Sequence, residues 1–563
     1  MVSNEIWMDS GAMVSMIPEQ DIYLGKFEAG GETDNGHTLT VLLGTDFTDE
    51  FSLIPNLYRG CELELYLDAD DTFQDKTIIT SNTATTITFN DSVIAGMLAT
   101  AENYYGIIKA LGAPVPAPKA SGNAKLLSDT WIGLTDSVTI PSTAIEMKQI
   151  ALSSGSRNMA YQFKGAETTS GGSFSLSANN FSWLYYALGD MDITTVSNAT
   201  AVTLPSADAD KSNNTVTNIA GAGASGNNFI YDDDSTVPGG KRFYRVVGTT
   251  ICPPIQRIVD DYTAADLKAV NHTLTNKITY TFSESNTHKL PSFALEYTLK
   301  KPASMTTVAT DITSTTLTGT TTDFDGSAPS SNATTTRNIS ETVYSKIYPG
   351  CQVESLNMTA DAGQEVKMSV NFNSKNTFTA PNAYDTANGK TDLQDWVNFG
   401  SPKGGQANIS EEQLRPFFFS DGTIEMFGQE YIRIENMTLD ISNSLQPKRF
   451  IGRYDKNSQI HIPGQRTYNL SFTGLVTDNL LFEELRNNAA TSLGGTDGNQ
   501  IKISFTKDTA TNDETLVMIF KDYMVTNADF PLTNDKGPIT VNWTIQPLEL
   551  HSCTHATNWI IQG

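Results

Sequence analysis

Glu365-Val366-Lys367-Met368-Ser369-Val370-Asn371-Phe372 alternates polar and apolar residues without a break, and Ile539-Thr540-Val541-Asn542-Trp543-Thr544-Ile545 does so again. Successive side chains of a strand point to opposite sides. A period of two over this length therefore makes a strand with one buried and one solvated face. A further strand precedes each, at Gln352–Met358 and at Leu516–Tyr523.

The surroundings of these stretches also repeat. In the first copy, the strand Asp136–Ile140 precedes a polar stretch. Tyr161–Gly165, a strand at Ser173–Leu176 and the helix-like Asn180-Phe181-Ser182-Trp183-Leu184-Tyr185-Tyr186 follow. In the second, Tyr431–Ile441 precedes a polar stretch, then come Gln459–Gly464, Tyr468–Phe472 and Asn479–Leu485. Three equivalences share one offset, because 464 − 165, 479 − 180 and 482 − 183 each equal 299. The order of elements carries more weight than these matches: strand, polar loop, strand ending in Gly, strand, short helix capped by Asn. Each copy reads as a β-sandwich with a helix packed on it.

Composition agrees. Of 563 residues, 39% are hydrophobic, with 26 Phe and 20 Tyr, enough for real cores. The polar remainder is dominated by Thr, Ser, Asn and Asp, which favour strands, turns and loops over helix interiors. The length predicts two to four domains. The net charge of −26 includes no Lys/Arg cluster, which excludes a nucleic-acid-binding exterior. Cys61, Cys252, Cys351 and Cys553 are far apart and form no CxxC pair, against a disulfide scaffold or structural zinc. The first basic residue is Lys26 and no apolar run reaches membrane-spanning length, so folding in a cytosol is expected.

Residues 1 to 111 read as a small β-rich unit, with strands at Thr38–Leu43, Glu62–Leu67 and Thr85–Phe89 and a helix over Ser92–Leu111. Pro114, Pro116 and Pro118 then make a semi-rigid linker. Thr194–Gly240 and Thr306–Thr336 read as long outer loops.

No motif carries chemistry. Gly221-Ala222-Gly223-Ala224-Ser225-Gly226 fits GxGxxG, but no helix is predicted after it. Asp68-Ala69-Asp70-Asp71 has Phe73 and Ile79 where a calcium loop needs Gly and a bidentate acid. His551, Cys553 and His555 put three soft ligands on one face of an extended segment, without a visible fourth. Six His form no HExxH set, and GxSxG and P-loop patterns do not occur. Catalytic, cofactor-binding and metal residues are therefore read as none, and the protein as no enzyme. The aromatic residues of Asn180–Leu188 are read as core, with a sugar platform as the competing reading.

Three segments resemble tail tube proteins of tailed bacteriophages. They are Asn180–Gly189, then Leu290–Glu296 with Tyr348–Leu356, and Glu435–Asn443 leading into Gly452 and Pro463-Gly464-Gln465-Arg466. The resemblance implies a mainly β fold: two tandem tail-tube β-sandwich or barrel domains, each with a short helix, plus the N-terminal β-rich domain. The expected division is 1–111 decoration domain, 112–127 linker and 128–376 first tube domain with insertions near 194–285 and 306–336. A connector at 377–429, a second tube domain at 430–550 and a C-terminal arm at 551–563 complete it. The family implies rings that close a β-barrel and stack into a tube, through which viral DNA passes without specific binding. Two fused domains imply three chains per ring; two halves of one domain would imply six. Implied partners are the chain itself and other tail proteins: terminator, baseplate or tip, tape measure, and a sheath where one exists. The implied location is the virion tail, assembled in the host cytoplasm. A β-rich virion adhesin or baseplate component is the competing function.

Overall fold

The computed structural model describes residues 12–379 and 415–557 apart from internal stretches, the longest being 41–56, 90–103, 115–131, 202–226, 316–334 and 476–499. Nearly every element is a strand, as the alternation and composition require, and the described sheets are antiparallel.

The first strand, β1 (Ala12–Pro18), stands apart from the next six. β2 (Ile22–Lys26), β3 (Thr38–Thr40), β4 (Glu62–Leu67), β5 (Thr72–Asn82), β6 (Thr86–Phe89) and β7 (Tyr104–Ile108) form one sheet in the order β2-β7-β4-β5-β6-β3. Its own core includes Leu24, Phe27, Leu63, Leu65, Ile79 and Ile108. The helix expected over Ser92–Leu111 is corrected here. Tyr104–Ile108 is a strand between β2 and β4, and 92–103 lie outside the described residues. A run Tyr-Tyr-Gly-Ile-Ile is rich in strand-forming residues, and pairing on both sides decides it.

Next come β8 (Leu134–Thr139), the hairpin β9 (Thr143–Ile150) and β10 (Tyr161–Thr169), β11 (Gly171–Ser177), helix α1 (Trp183–Leu188) and β12 (Gly189–Val196). A separate five-stranded sheet holds β13 (Thr200–Ala201), β14 (Asn227–Asp232), β15 (Arg242–Val247), β16 (Thr250–Arg257) and β17 (Lys268–Asn271). The loop expected at Thr194–Gly240 is therefore partly strand, and Phe229-Ile230-Tyr231 was the available signal. β18 (Ile278–Glu284) returns to the main sheet, between β12 and β33 (Thr540–Thr557). β19 (Phe293–Lys300) follows, then a two-stranded ladder of β20 (Ile312–Thr315) and β21 (Thr335–Arg337) inside the second expected loop. β22 (Val343–Asp361) and β23 (Lys367–Asn373) precede the stretch expected as a connector, 377–429, and β24 (Phe378–Thr379) lies inside it.

β25 (Gly422–Met426) and the start of β26 (Gln429–Glu430) also fall inside it, and beyond lie β27 (Ile434–Ser442), the hairpin β28 (Gln446–Arg449) and β29 (Gln459–Ile462), β30 (Thr467–Leu475), β31 (Ile501–Lys507), β32 (Glu514–Asp529) and β33. Pairing places them in the order β25-β31-β32-β33-β30-β27. The earlier strands pair in the order β1-β19-β22-β23-β11-β8. The two orders correspond strand for strand, including a hairpin between the last two strands named. The long strands even break register alike: β22 between Val353 and Ser355, and β32 between Val525 and Asn527, with 525 − 353 and 527 − 355 both 172.

Both sets join one 16-stranded sheet system around a continuous core. Val366, Met368, Val370 and Phe372 are all buried, as their alternation predicts. Val541, Trp543 and Ile545 are buried too, whereas Ile539, just ahead of β33, is exposed. Helix α1 closes on Gly189, whose φ of 112° is the left-handed conformation that a helix C-terminus favours in glycine. Its N-cap is Ser182 without a side-chain bond, not the expected Asn180. The helix expected at Asn479–Leu485 lies outside the described residues. Residues 551–557, expected as an arm, continue β33 in pairing with β32 and β18.

Candidate assembly interface

The two strand sets meet where β27 lies against β22. Ser355–Asp361 pairs with Ser442–Asn436, directly after the stretch of β22 that pairs with β19. One edge of β22 thus has two partners in succession, with the register break between them. Asn357 bonds Asp440 and Asn436 bonds Asp361 across this seam.

A polar clamp fixes the seam from behind. Asn443, immediately after β27, donates through Nδ2 to the carbonyls of Ala187 and Val353, both at 3.0 Å. Arg466, immediately before β30, donates through Nε to Asn443 Oδ1 at 2.8 Å and through Nη2 to Leu188 O at 2.9 Å and Ala187 O at 3.2 Å. These carbonyls end α1, where helix geometry leaves acceptors unpaired and a cation is favoured. Glu284 of β18 pairs with Arg466 and accepts from the Tyr468 hydroxyl. Pro463-Gly464-Gln465-Arg466 was quoted from the sequence, but the roles of Asn443, Arg466 and Glu284 were not foreseen. Their partners are distant in the chain.

Several strand edges have no partner among the described residues, those of β1 and β12 included, and two of them match the seam. β8 pairs with β11 on one side only. β32 pairs with β31 only through Phe520, so its continuation to Asp529 has β33 alone. The β9–β10 hairpin exposes Ile145, Met147, Ile150, Tyr161 and Phe163. The corresponding β28–β29 hairpin reads Gln446-Pro447-Lys448-Arg449 and Gln459-Ile460-His461-Ile462 and is mostly polar.

Two ionic corners are buried in the fold. Glu19 accepts from Gly112 N at 2.9 Å and Gly350 N at 2.7 Å, and Lys375 Nζ donates to Gly60 O at 2.7 Å. Lys507 and Glu514 pair in the interior, with Thr557 donating to Glu514. Burial pushes the Glu19 carboxyl up to about 7, against the opposing pull of Ser292, the two backbone N–H groups and Lys375. Burial pushes His555 down to about 4, and His461 likewise.

These shifts set opposing slopes. A carboxyl raised from 4.5 stabilises the fold below that value and loses this contribution as pH rises through about 7. A histidine lowered from 6.5 contributes above that value and loses it as pH falls through about 4. Glu19→Gln leaves the histidine slope unopposed, so its urea midpoint falls more steeply from pH 6.5 to 4.5 than that of the unaltered chain. His555→Gln tilts the profile the other way. Each change is on the order of 3 kcal/mol at most. Parallel profiles for all three proteins would refute the assignment.

Of the motifs set aside from sequence, the C-terminal set alone falls among the described residues. Cys553 and His555 are buried, while His551 is exposed and bonded to Lys521. Gly221–Gly226 and Asp68–Asp71 lie outside the described residues, and a strand, β14, follows the glycines. Cys61, Cys351 and Cys553 are buried thiols, and those of Cys61 and Cys351 donate to the carbonyls of Gly112 and Tyr348. Phe181, Trp183 and Tyr186 belong to the core, as read from sequence. Among the described residues no three His, Cys, Asp or Glu side chains are placed to hold a metal ion.

A search of curated proteins finds no match to the chain. Residues 302–547, which run from ahead of β22 into β33 and so cross the β22–β27 seam, match the family described as phage tail tube protein, and this match supports a phage tail tube protein.

Proposed function

We propose that the chain is a non-enzymatic structural subunit that self-assembles into stacked rings, forming the tail tube through which the genome leaves. The observation that carries this reading is the β22–β27 seam. It shows how one strand set adds to another, and the second set offers the same place again at the end of β32. A β8 from the next chain, laid there as β27 is laid on β22, extends the sheet. Repeating the addition closes a ring and pairs these two edges. Each chain supplies two tandem tube units, so three chains complete six.

The apolar β9–β10 hairpin is suited to the stacking of one ring on the next, an axial contact that repeats without closing. With a net charge of −26, a lumen wall of this chain repels phosphates and lets DNA slide. Terminator, baseplate or tip, tape-measure and sheath proteins are the partners expected at the ends, core and outside of such a tube, assembled in the host cytoplasm.

Electron microscopy of the purified protein at high concentration tests this. Stacked rings with an open lumen and a threefold periphery on a sixfold inner wall are expected. Six chains per ring would replace the trimer, and discrete particles that never stack would replace the tube with an adhesin or baseplate role.

A further inference from the structure

We infer that β1 is the first strand of the first tube unit, and that residues 19–131 are a module inserted into that unit, carried by the particle but not needed to build it. The inference rests on the tube reading only for its assembly readout.

The correspondence of strands carries it. β25 covers the open edge of β31, with Gly422 opposite Phe505 and Ile424 opposite Ile503. β1 covers the open edge of β19, with Ala12 opposite Leu299 and Val14 opposite Tyr297. Met16 is buried in the common core and Val14 packs against it, as Met426 and Ile424 are buried there. β1 is therefore to the first set what β25 is to the second. From β25 the chain reaches β27 through residues 427–433 alone. From β1 it reaches β8 only after 19–133, although β8 occupies the place of β27.

What fills the difference is self-contained. It forms its own six-stranded sheet, and among the described residues its core draws only Ile17 from β1 and Ala294 and Ile347 from the main sheet. The first and last described residues of the module, Glu19 and Pro114, lie side by side, since Glu19 bridges to Pro114 and its carboxylate holds Gly112 N. Adjacent ends are what an inserted domain requires of its host. The same corner docks the module, through Glu19 to Gly350 and Lys375 to Gly60. A preceding domain would have no need to leave a strand of the host behind it.

The test compares two full-length variants. Met16→Lys places a charge in the tube core, and Leu65→Lys places one in the module core. Ring formation seen by electron microscopy should be lost in Met16→Lys and kept in Leu65→Lys, while limited proteolysis cuts the module of Leu65→Lys. Rings from Met16→Lys would overturn the inference. If Leu65→Lys aggregates, a variant in which Phe427–Arg433 is copied in place of 19–131 decides: rings support the insertion, and a soluble protein without rings overturns it. If the unaltered chain forms no rings, the tube reading fails alone. The insertion is then read from unfolding, since the replaced variant should keep the denaturation midpoint of the main sheet, and losing it overturns the insertion.

Discussion

Lys507→Met should lower the unfolding free energy by about 3–5 kcal/mol, the usual cost of leaving one partner of a buried ion pair without the other. Lys507 ends β31 and Glu514 begins β32, at 0% and 3% side-chain exposure. The ammonium also donates to Arg415 O at 3.1 Å and lies 4.8 Å from the centroid of the Phe417 ring. Methionine keeps the length and loses all three interactions. The Glu514 carboxylate then stays buried with Thr557 and no opposite charge. Lys507→Met with Glu514→Leu should recover most of the loss, because removing both charges also removes the desolvation cost. Lys502→Met is the control: its pair with Glu425 is 34% and 47% exposed and is worth at most about 1 kcal/mol. Guanidinium midpoints followed by near-ultraviolet circular dichroism give all three values. A Lys507→Met midpoint no lower than that of Lys502→Met would refute the buried pair as a support of the β31–β32 corner.

The pair also shows where sequence reading stops. Strands with one wet face were legible, because burial with a period of two is written directly into residues such as Val366 to Phe372. The repeated order of elements was legible for the same reason, although its single offset does not survive along the strand. Phe174 and Phe472 both point into the core, 298 residues apart rather than 299, and an odd offset exchanges the faces. The recurrence of β1 as β25 was not legible. Edge strands of seven and five residues carry little pattern, and the module separates β1 from its own unit. Lys375, Lys507, Glu19 and Glu514 looked like any surface charge, since a lone charged residue says nothing about the distant groups that bury it. Asn443 and Arg466 were quoted without a role because the carbonyls they hold belong to α1, far back in the chain.

The seam and its clamp also bear on how a ring of fused units differs from a ring of single ones. Within the chain the joint is backed by Asn443 and Arg466. At the corresponding turns of the first set, Ile140, Pro141 and Ser142 follow β8 and Ser170 precedes β11; Ser142 and Ser170 bond each other, and Ser170 also donates to Gly171 O. The joint between chains would therefore rest on strand pairing and side-chain packing without an arginine on helix carbonyls. Covalent fusion and the clamp act on the same joint, so in the proposed ring the seam inside the chain is the fixed one and the seam between chains is where assembly would occur.

Trp183→Ala should cost about 3–5 kcal/mol, the second large effect. Trp183 is 2% exposed, with ring centroids 4.5 Å from Phe174 and 5.3 Å from both Tyr186 and Phe293. Its Nε1 donates to Ile132 O at 3.1 Å, so truncation opens a cavity and also leaves a buried carbonyl without its donor. Trp183→Phe should lose less, because most of the ring volume stays and only the hydrogen bond goes. The comparison separates the two readings that the sequence allowed for this aromatic run. A core residue changes the denaturation midpoint and leaves polysaccharide binding untouched. A sugar platform does the reverse, because an exposed ring can be removed without opening the core. An unchanged midpoint in Trp183→Ala would mean that the helix does not anchor the first unit. That would also undermine the seam, since the carbonyls clamped by Asn443 and Arg466 are those of the same short helix.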